Sequence, residues 1–171
     1  MNFLQRLFSP TRDARDAMRP LWAWVVGTAR EPEWYRDGGV ADTLEGRFDM
    51  VSSVLALVLL RMERTPLLAA RTAPLAEIFV EEMDGQLRQS GVGDLMVGKQ
   101  IGRLMATLGG RTGAYRAALA VGGGEFEQAI HRNVTLADEE RAGFAATRLL
   151  ALSDRLARTS DEALLAGEIM A

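Results

Sequence analysis

Apolar positions along the chain recur at spacings of three and four, and no stretch alternates with period two for long enough to make a strand. The pattern predicts an all-α fold, a single-domain bundle of about six to seven helices. It is densest between Thr43 and Arg64, where Phe48, Val51, Leu55, Val58, Leu59 and Met62 form one face and Met50, Val54 and Leu57 widen it almost all round. A helix that is apolar on nearly every side belongs in the middle of a bundle, because only neighbours on all flanks take it out of water. Asp42 followed by Glu45 predicts its start through a capping arrangement.

Upstream, Ser9-Pro10 predicts a helix start and Pro20 interrupts that helix before a second piece over 21–30, on which Trp22, Val25, Val26 and Ala29 share a face. The interruption divides an amphipathic N-terminal extension, residues 1–19, from a domain over residues 20–171. Phe3, Leu4, Leu7 and Phe8 give the extension an apolar face beside Arg6, which suits a strap across the body or a helix lying on a membrane surface. Pro32 begins a short turn carrying Trp34 and Tyr35, closed by Gly38-Gly39.

Downstream, the spacing predicts a helix over 74–89 with Leu75, Ile78, Phe79, Met83 and Leu87 inward. Its other face carries Glu77, Glu81, Asp84 and Arg88, the last two in the favourable acid-first order. Gly91 and Gly93 turn the chain into a helix from about Leu95 to Val121 whose inward side holds Ile101, Leu104, Met105, Leu108, Tyr115 and Leu119. Gly109-Gly110 and Gly113 predict bends or close contacts there. Three glycines, Gly122 to Gly124, end it; a shorter helix follows over 125–133. Thr135 with Asp138 predicts the opening of the last long helix, running to about Arg158, and Ser160 caps a final turn that stops near Gly167.

Composition narrows the function. The 171 residues carry a net charge of −3, which argues against a dedicated nucleic-acid binder, since that role needs a basic field to neutralise phosphates. Of 20 cationic residues only Lys99 is lysine; arginine is the side chain suited to forked carboxylate contacts. The absence of cysteine excludes disulfides, thiolate metal sites and a cysteine nucleophile. The longest uncharged apolar stretch, Met50 to Leu60, is interrupted by Ser52 and Ser53 and falls short of the roughly 20 residues a membrane span needs.

Candidate chemistry is sparse. Gly93-Asp94-Leu95-Met96-Val97-Gly98-Lys99-Gln100 follows the spacing of a phosphate-binding loop until its last position. There Gln100 stands where Ser or Thr would hold magnesium, and a helix precedes it instead of a strand. His131 is the sole histidine, so a histidine-based triad or a multi-histidine metal centre is impossible. Glu81, Glu82 and Asp84 diverge around a helix and read as a solvated or partner-facing acidic patch. Met62, Met83 and Met105 lie in core periodicity and read as packing. No cofactor is expected. The segment from Phe79 to Lys99 joins a charged helix face to a glycine corner without a catalytic set, which points to recognition rather than chemistry.

Several segments carry a resemblance: Thr43-Leu44-Glu45-Gly46-Arg47-Phe48-Asp49-Met50, Met83-Asp84 through Leu87-Arg88, Gly91-Val92-Gly93-Asp94-Leu95, and Gly110-Arg111 with Ala114-Tyr115. Together they resemble the ubiquinol-cytochrome c chaperone family, over nearly the whole chain from about Pro20. Leu108-Gly109 and Ser53-Val54 depart from the aromatic pair and the histidine that the resemblance leads one to expect. The resemblance implies a non-enzymatic chaperone that holds newly made cytochrome b during biogenesis of respiratory complex III. It also implies a small companion assembly factor and contact with the ribosome or inner membrane, while the acidic charge balance leads to no specific nucleic-acid partner being expected. The arginine-rich composition without a targeting peptide implies an alphaproteobacterial relative acting at the cytoplasmic face of the inner membrane.

Such a chaperone needs an apolar groove rimmed by charges. The expected rim is Asp84, Arg88, Asp94, Lys99 and Arg111 about the Gly91 and Gly93 corner, with Arg47 and Asp49 near or bracing it and Tyr115 beside Arg111. Two other readings stay open: a small enzyme or cofactor handler using the Gly93 to Lys99 corner as an anion site, and a generic interaction domain.

Overall fold

The computed structural model describes residues 13–89, 94–122 and 124–170, with the side chains at 86–89, 94–97 and 100 outside that description. The apolar face over residues 3–8, the Ser9-Pro10 start and the glycines Gly91, Gly93 and Gly123 lie outside the described residues. The helices are α1 (Arg19–Ala29), α2 (Glu33–Arg36), α3 (Leu44–Met62), α4 (Pro66–Ala69), α5 (Thr72–Gln89), α6 (Asp94–Val121), α7 (Glu125–Asn133), α8 (Ala142–Arg158) and α9 (Asp161–Ala166). Among the described residues six of these are at least seven residues long and there is no strand, as the apolar periodicity requires.

α3 is the axis. Every side chain from Met50 to Leu59 is buried, so the helix has no solvent side along that run. It packs against α6, α1 and α8; α7 bridges α6 to α8, and α5 closes the remaining flank against α6 and α1. Each fully buried Leu, Val or Met on it contributes roughly 1.5–3 kcal/mol. The aromatic side chains gather on the α5 flank, where Phe79 meets Trp22 edge-on at 6.1 Å and Phe48 at 6.0 Å.

Several boundaries differ from the sequence reading, each for a local reason. The cap of α3 is Thr43, whose hydroxyl accepts from the Gly46 amide at 3.2 Å. Asp42 stands one residue outside and pairs with Arg47 at 2.7 Å instead. Thr65-Pro66 opens the extra turn α4, with proline at a position where its missing N–H costs nothing. α5 then starts at Thr72, two residues before Pro74. Asp138 caps only a 3-10 turn, Glu139–Arg141, before α8, and the Thr135 hydroxyl donates to the Asp49 side chain of α3 instead of taking part in a cap. α6 runs unbroken through Gly109, Gly110 and Gly113, and a Cβ at any of the three would meet nothing, so close packing does not explain them. Met105 is 37% exposed and off the core, while Leu108 and Tyr115 are buried as the periodicity predicts. Ser160 caps α9 and Gly167 ends it in the left-handed region at φ 70°.

Gly46 is required for another reason. A Cβ there would stand 1.9 Å from the Ala41 carbonyl oxygen, because the segment entering α3 crosses directly over its first turn. Gly46→Ala is expected to cost about 3 kcal/mol, the upper end of ordinary overpacking, and a fall in the urea midpoint measures it.

Candidate functional site

Charge enters the interior near the start of α3. Arg111 on α6 is 2% exposed, and its Nη2 donates to Asp49 Oδ1 at 2.7 Å. Nη1 donates to the Asp49 carbonyl at 3.0 Å and to the Ser52 hydroxyl, and Nη2 also reaches the Asn133 carbonyl at the end of α7. The other carboxylate oxygen, Asp49 Oδ2, accepts from both the amide and the hydroxyl of Thr135, at 2.9 and 2.7 Å. One carboxylate therefore ties α3 to α6 and to the loop after α7. A desolvated guanidinium is tolerable only when forked and paired in this way. That loop also forms an antiparallel bridge between Val40 and Leu136, which fixes the entry to α3.

One turn further along α6, Tyr115 is fully buried, packs with its ring tilted against Phe126 at 5.1 Å and shares a 2.8 Å hydrogen bond with Ser53. Burial pushes its phenol up to about 12, against the opposing pull of Arg111 and of the Ser53 bond. The neutral phenol is the form the fold holds, so this stability is fully present below the ordinary tyrosine value of about 10. It is lost as pH climbs toward about 12. Tyr115→Phe is expected to cost about 1 kcal/mol at neutral pH through the lost bond and to flatten the alkaline decline; urea midpoints taken across that pH range test both.

A second internal charge closes the far end of α3. Arg61 is 8% exposed; its Nε donates to the Leu156 carbonyl at 3.0 Å, and its Nη2 to the Thr159 carbonyl at 2.8 Å and to Asp161 at 2.7 Å. It fixes the junction of α8 and α9. Composition gave no reason to single out this arginine among nineteen.

Outside the Asp49–Arg111 brace lies an open groove of about 1370 Å³. Its floor is the first half of α3, with Phe48 and Val51; one wall is the corner between α1 and α2, with Pro32 and Tyr35, and the other is Met83 of α5 with Leu104 of α6. Leu44 stands at the rim, 68% exposed. Arg30, Arg36, Asp42, Glu45, Arg47 and Arg103 ring the apolar floor. Tyr35 donates to the Ala29 carbonyl at 2.9 Å, which holds its ring in the wall, and burial raises its pKa. The hydrogen bond from Arg47 holds the Asp42 carboxyl below the usual carboxylate range.

The sequence-derived residues divide among these features. Arg47 and Asp49 line the groove. Arg111 and Tyr115 lie behind it, their polar groups engaged inside the bundle, so they support the groove and present nothing to solvent. Lys99 is exposed on α6 and Asp84 is half-buried on α5. Arg88 sits on α5 and Asp94 opens α6, with side chains outside the described set, as are Gly91 and Gly93 entirely. The acidic face of α5 is partly occupied, since Arg15 reaches Glu77 and Glu81 at 3.8 Å each. His131 is exposed. Leu44, Tyr35 and Arg103 line the groove without standing among the expected rim residues. Tyr35 enters the sequence pattern only as part of a short turn, and Leu44 only as an apolar residue after a helix cap, within a segment that carries the resemblance.

A family model described as ubiquinol-cytochrome C chaperone matches residues 36–171. The chain belongs to the ubiquinol-cytochrome C chaperone family. The crystal structure of the Cbp3 homolog from Brucella abortus is similar to it with 33% identity over 98% of this chain and 95% of that one, at a TM-score of 0.80. No curated protein matches. In this member of the ubiquinol-cytochrome C chaperone family, the matched region takes in both internal charged nodes and the α3 and α6 sides of the groove. Arg30, Pro32 and Tyr35 precede it. Among the described residues no helix is long and apolar enough to cross a membrane.

Proposed function

We propose that this protein is an assembly chaperone for respiratory complex III that binds newly made cytochrome b and acts by holding it, not by chemical transformation. The observation that carries this reading is the groove, apolar along its floor and charged at its rim, in a chain of the ubiquinol-cytochrome C chaperone family. An unassembled membrane subunit exposes apolar area and polar loops together, and a surface of matching character shields both. Leu44 and Phe48 supply apolar contact and Arg47 a charged edge. Lys99, one turn before Arg103 on the same helix face, extends that edge toward the corner between α5 and α6. The Asp49–Arg111 brace and Tyr115 keep the floor rigid, so little ordering is left to be done on binding. A small companion factor, the ribosome and the inner-membrane surface are further partners in this proposal, at the cytoplasmic face of that membrane.

Deleting the gene and restoring it with variants tests the role. Loss of assembled cytochrome bc1 complex is expected in the deletion strain, recovery with the native chain, and failure to recover with Leu44→Asp combined with Arg47→Glu, both at exposed positions, with folding of the variant checked by circular dichroism. Undiminished bc1 complex in the deletion strain would sink the proposal.

A further inference from the structure

The charges around the groove do not cancel evenly, although the chain as a whole is acidic at −3. Arg47 is neutralised by Asp42 at 2.7 Å, and Arg36 by a two-pronged contact with Asp37 at 2.9 and 2.6 Å. Asp49 is answered from behind by Arg111. Removing these pairs leaves Arg30 on the α1–α2 wall, Arg103 on the α6 wall and Glu45 at the mouth. Neither Arg30 nor Arg103 has an ion-pair partner among the described residues, and both side chains are exposed. Two guanidinium groups and one carboxylate thus line the groove without an ion pair among the described residues.

From this imbalance we propose that the groove selects an apolar client segment flanked by carboxylates, its acidic residues held by Arg30 and Arg103. The inference rests on the reading of the groove as the client site and adds the chemistry by which a segment is chosen. An apolar floor alone cannot distinguish one hydrophobic stretch from another. Arginine on each wall supplies that distinction, because its planar fork matches a carboxylate with two parallel hydrogen bonds. Segments flanked by lysine or arginine meet like charge on both walls and are rejected. Arg103 lies within the matched family region, whereas Arg30 precedes it, so the two walls draw the preference from different parts of the chain.

The test uses the full chain and three short fluorescent peptides sharing one leucine- and alanine-rich centre, flanked by glutamate, glutamine or lysine. Anisotropy titration at low salt is expected to give about tenfold tighter binding for the glutamate peptide than for the glutamine one, with lysine weakest. The gap should narrow as salt rises. Arg30→Glu combined with Arg103→Glu, with folding checked by circular dichroism, is expected to invert the order in favour of the lysine peptide. Equal binding of all three peptides, with Leu44→Asp weakening each alike, would overturn the charge preference and leave the groove as an apolar client site. Binding of none would overturn the groove reading itself and the preference with it.

Discussion

Asp49→Ala is expected to destabilise the folded chain by about 3–5 kcal/mol, the cost of leaving a buried charge without its partner. A loss of that size is a large fraction of what a domain of this length has to spare. The substitution strips the carboxylate from Arg111, whose guanidinium is 2% exposed and cannot turn to water. It also removes the acceptor of both the amide and the hydroxyl of Thr135, and with it the anchor of the loop that bridges to Val40. Asp49→Asn is expected to lose less, because an amide oxygen still accepts from one of these partners although the charge is gone. Urea unfolding of the two variants beside the native chain gives the ranking. An alanine variant within about 1 kcal/mol of native would mean that the brace contributes no more than an exposed pair.

Arg61→Ala is expected to cost about 3 kcal/mol, since it leaves the Leu156 and Thr159 carbonyls without their donor at a buried junction, at 1–3 kcal/mol for each unmet group. The loss is smaller than at Asp49 because Asp161 is 28% exposed on its side chain and keeps the hydroxyl of Thr65 at 3.2 Å. The effect should also be local. α9 is held to the body by this junction, by the burial of Leu164, and by Gly167 close to the Pro20 carbonyl. Hydrogen exchange should therefore quicken in α9 before it does in α3, as a unit opening below the global free energy. Uniform exchange across both helices would show that α9 does not open separately.

These two nodes mark what could be read from the residues and what could not. α3 is legible because ten consecutive buried positions leave an unmistakable apolar record, and Ser160 and Gly167 sit where the ends of α9 need them. The choice of Thr43 over Asp42 as the cap is not legible: both side chains can cap, and in the structure Thr43 accepts from the Gly46 amide while Asp42 pairs with Arg47. The sequence places Arg111 on the expected rim with Asp49 near or bracing it, whereas the structure pairs the two inside the bundle across 62 positions, a contact that no local pattern encodes. Met105 fits the helical period but is 37% exposed, because periodicity gives the direction of a face and not how much of its width the neighbouring helices cover. The groove was hardest to see. It is assembled from residues within 30–36, 42–51 and 103–107 together with Met83 and Thr135, and its exposed members obey no spacing rule.

A photoreactive amino acid at position 44, compared with one at position 144, tests the central claim most directly. Leu44 stands at the groove rim, while Phe144, 45% exposed on α8, lies outside the groove. In cells synthesising cytochrome b, illumination is predicted to capture cytochrome b from position 44 and not from position 144. Capture from position 144 alone, or from neither position while the bc1 complex still assembles, would contradict it.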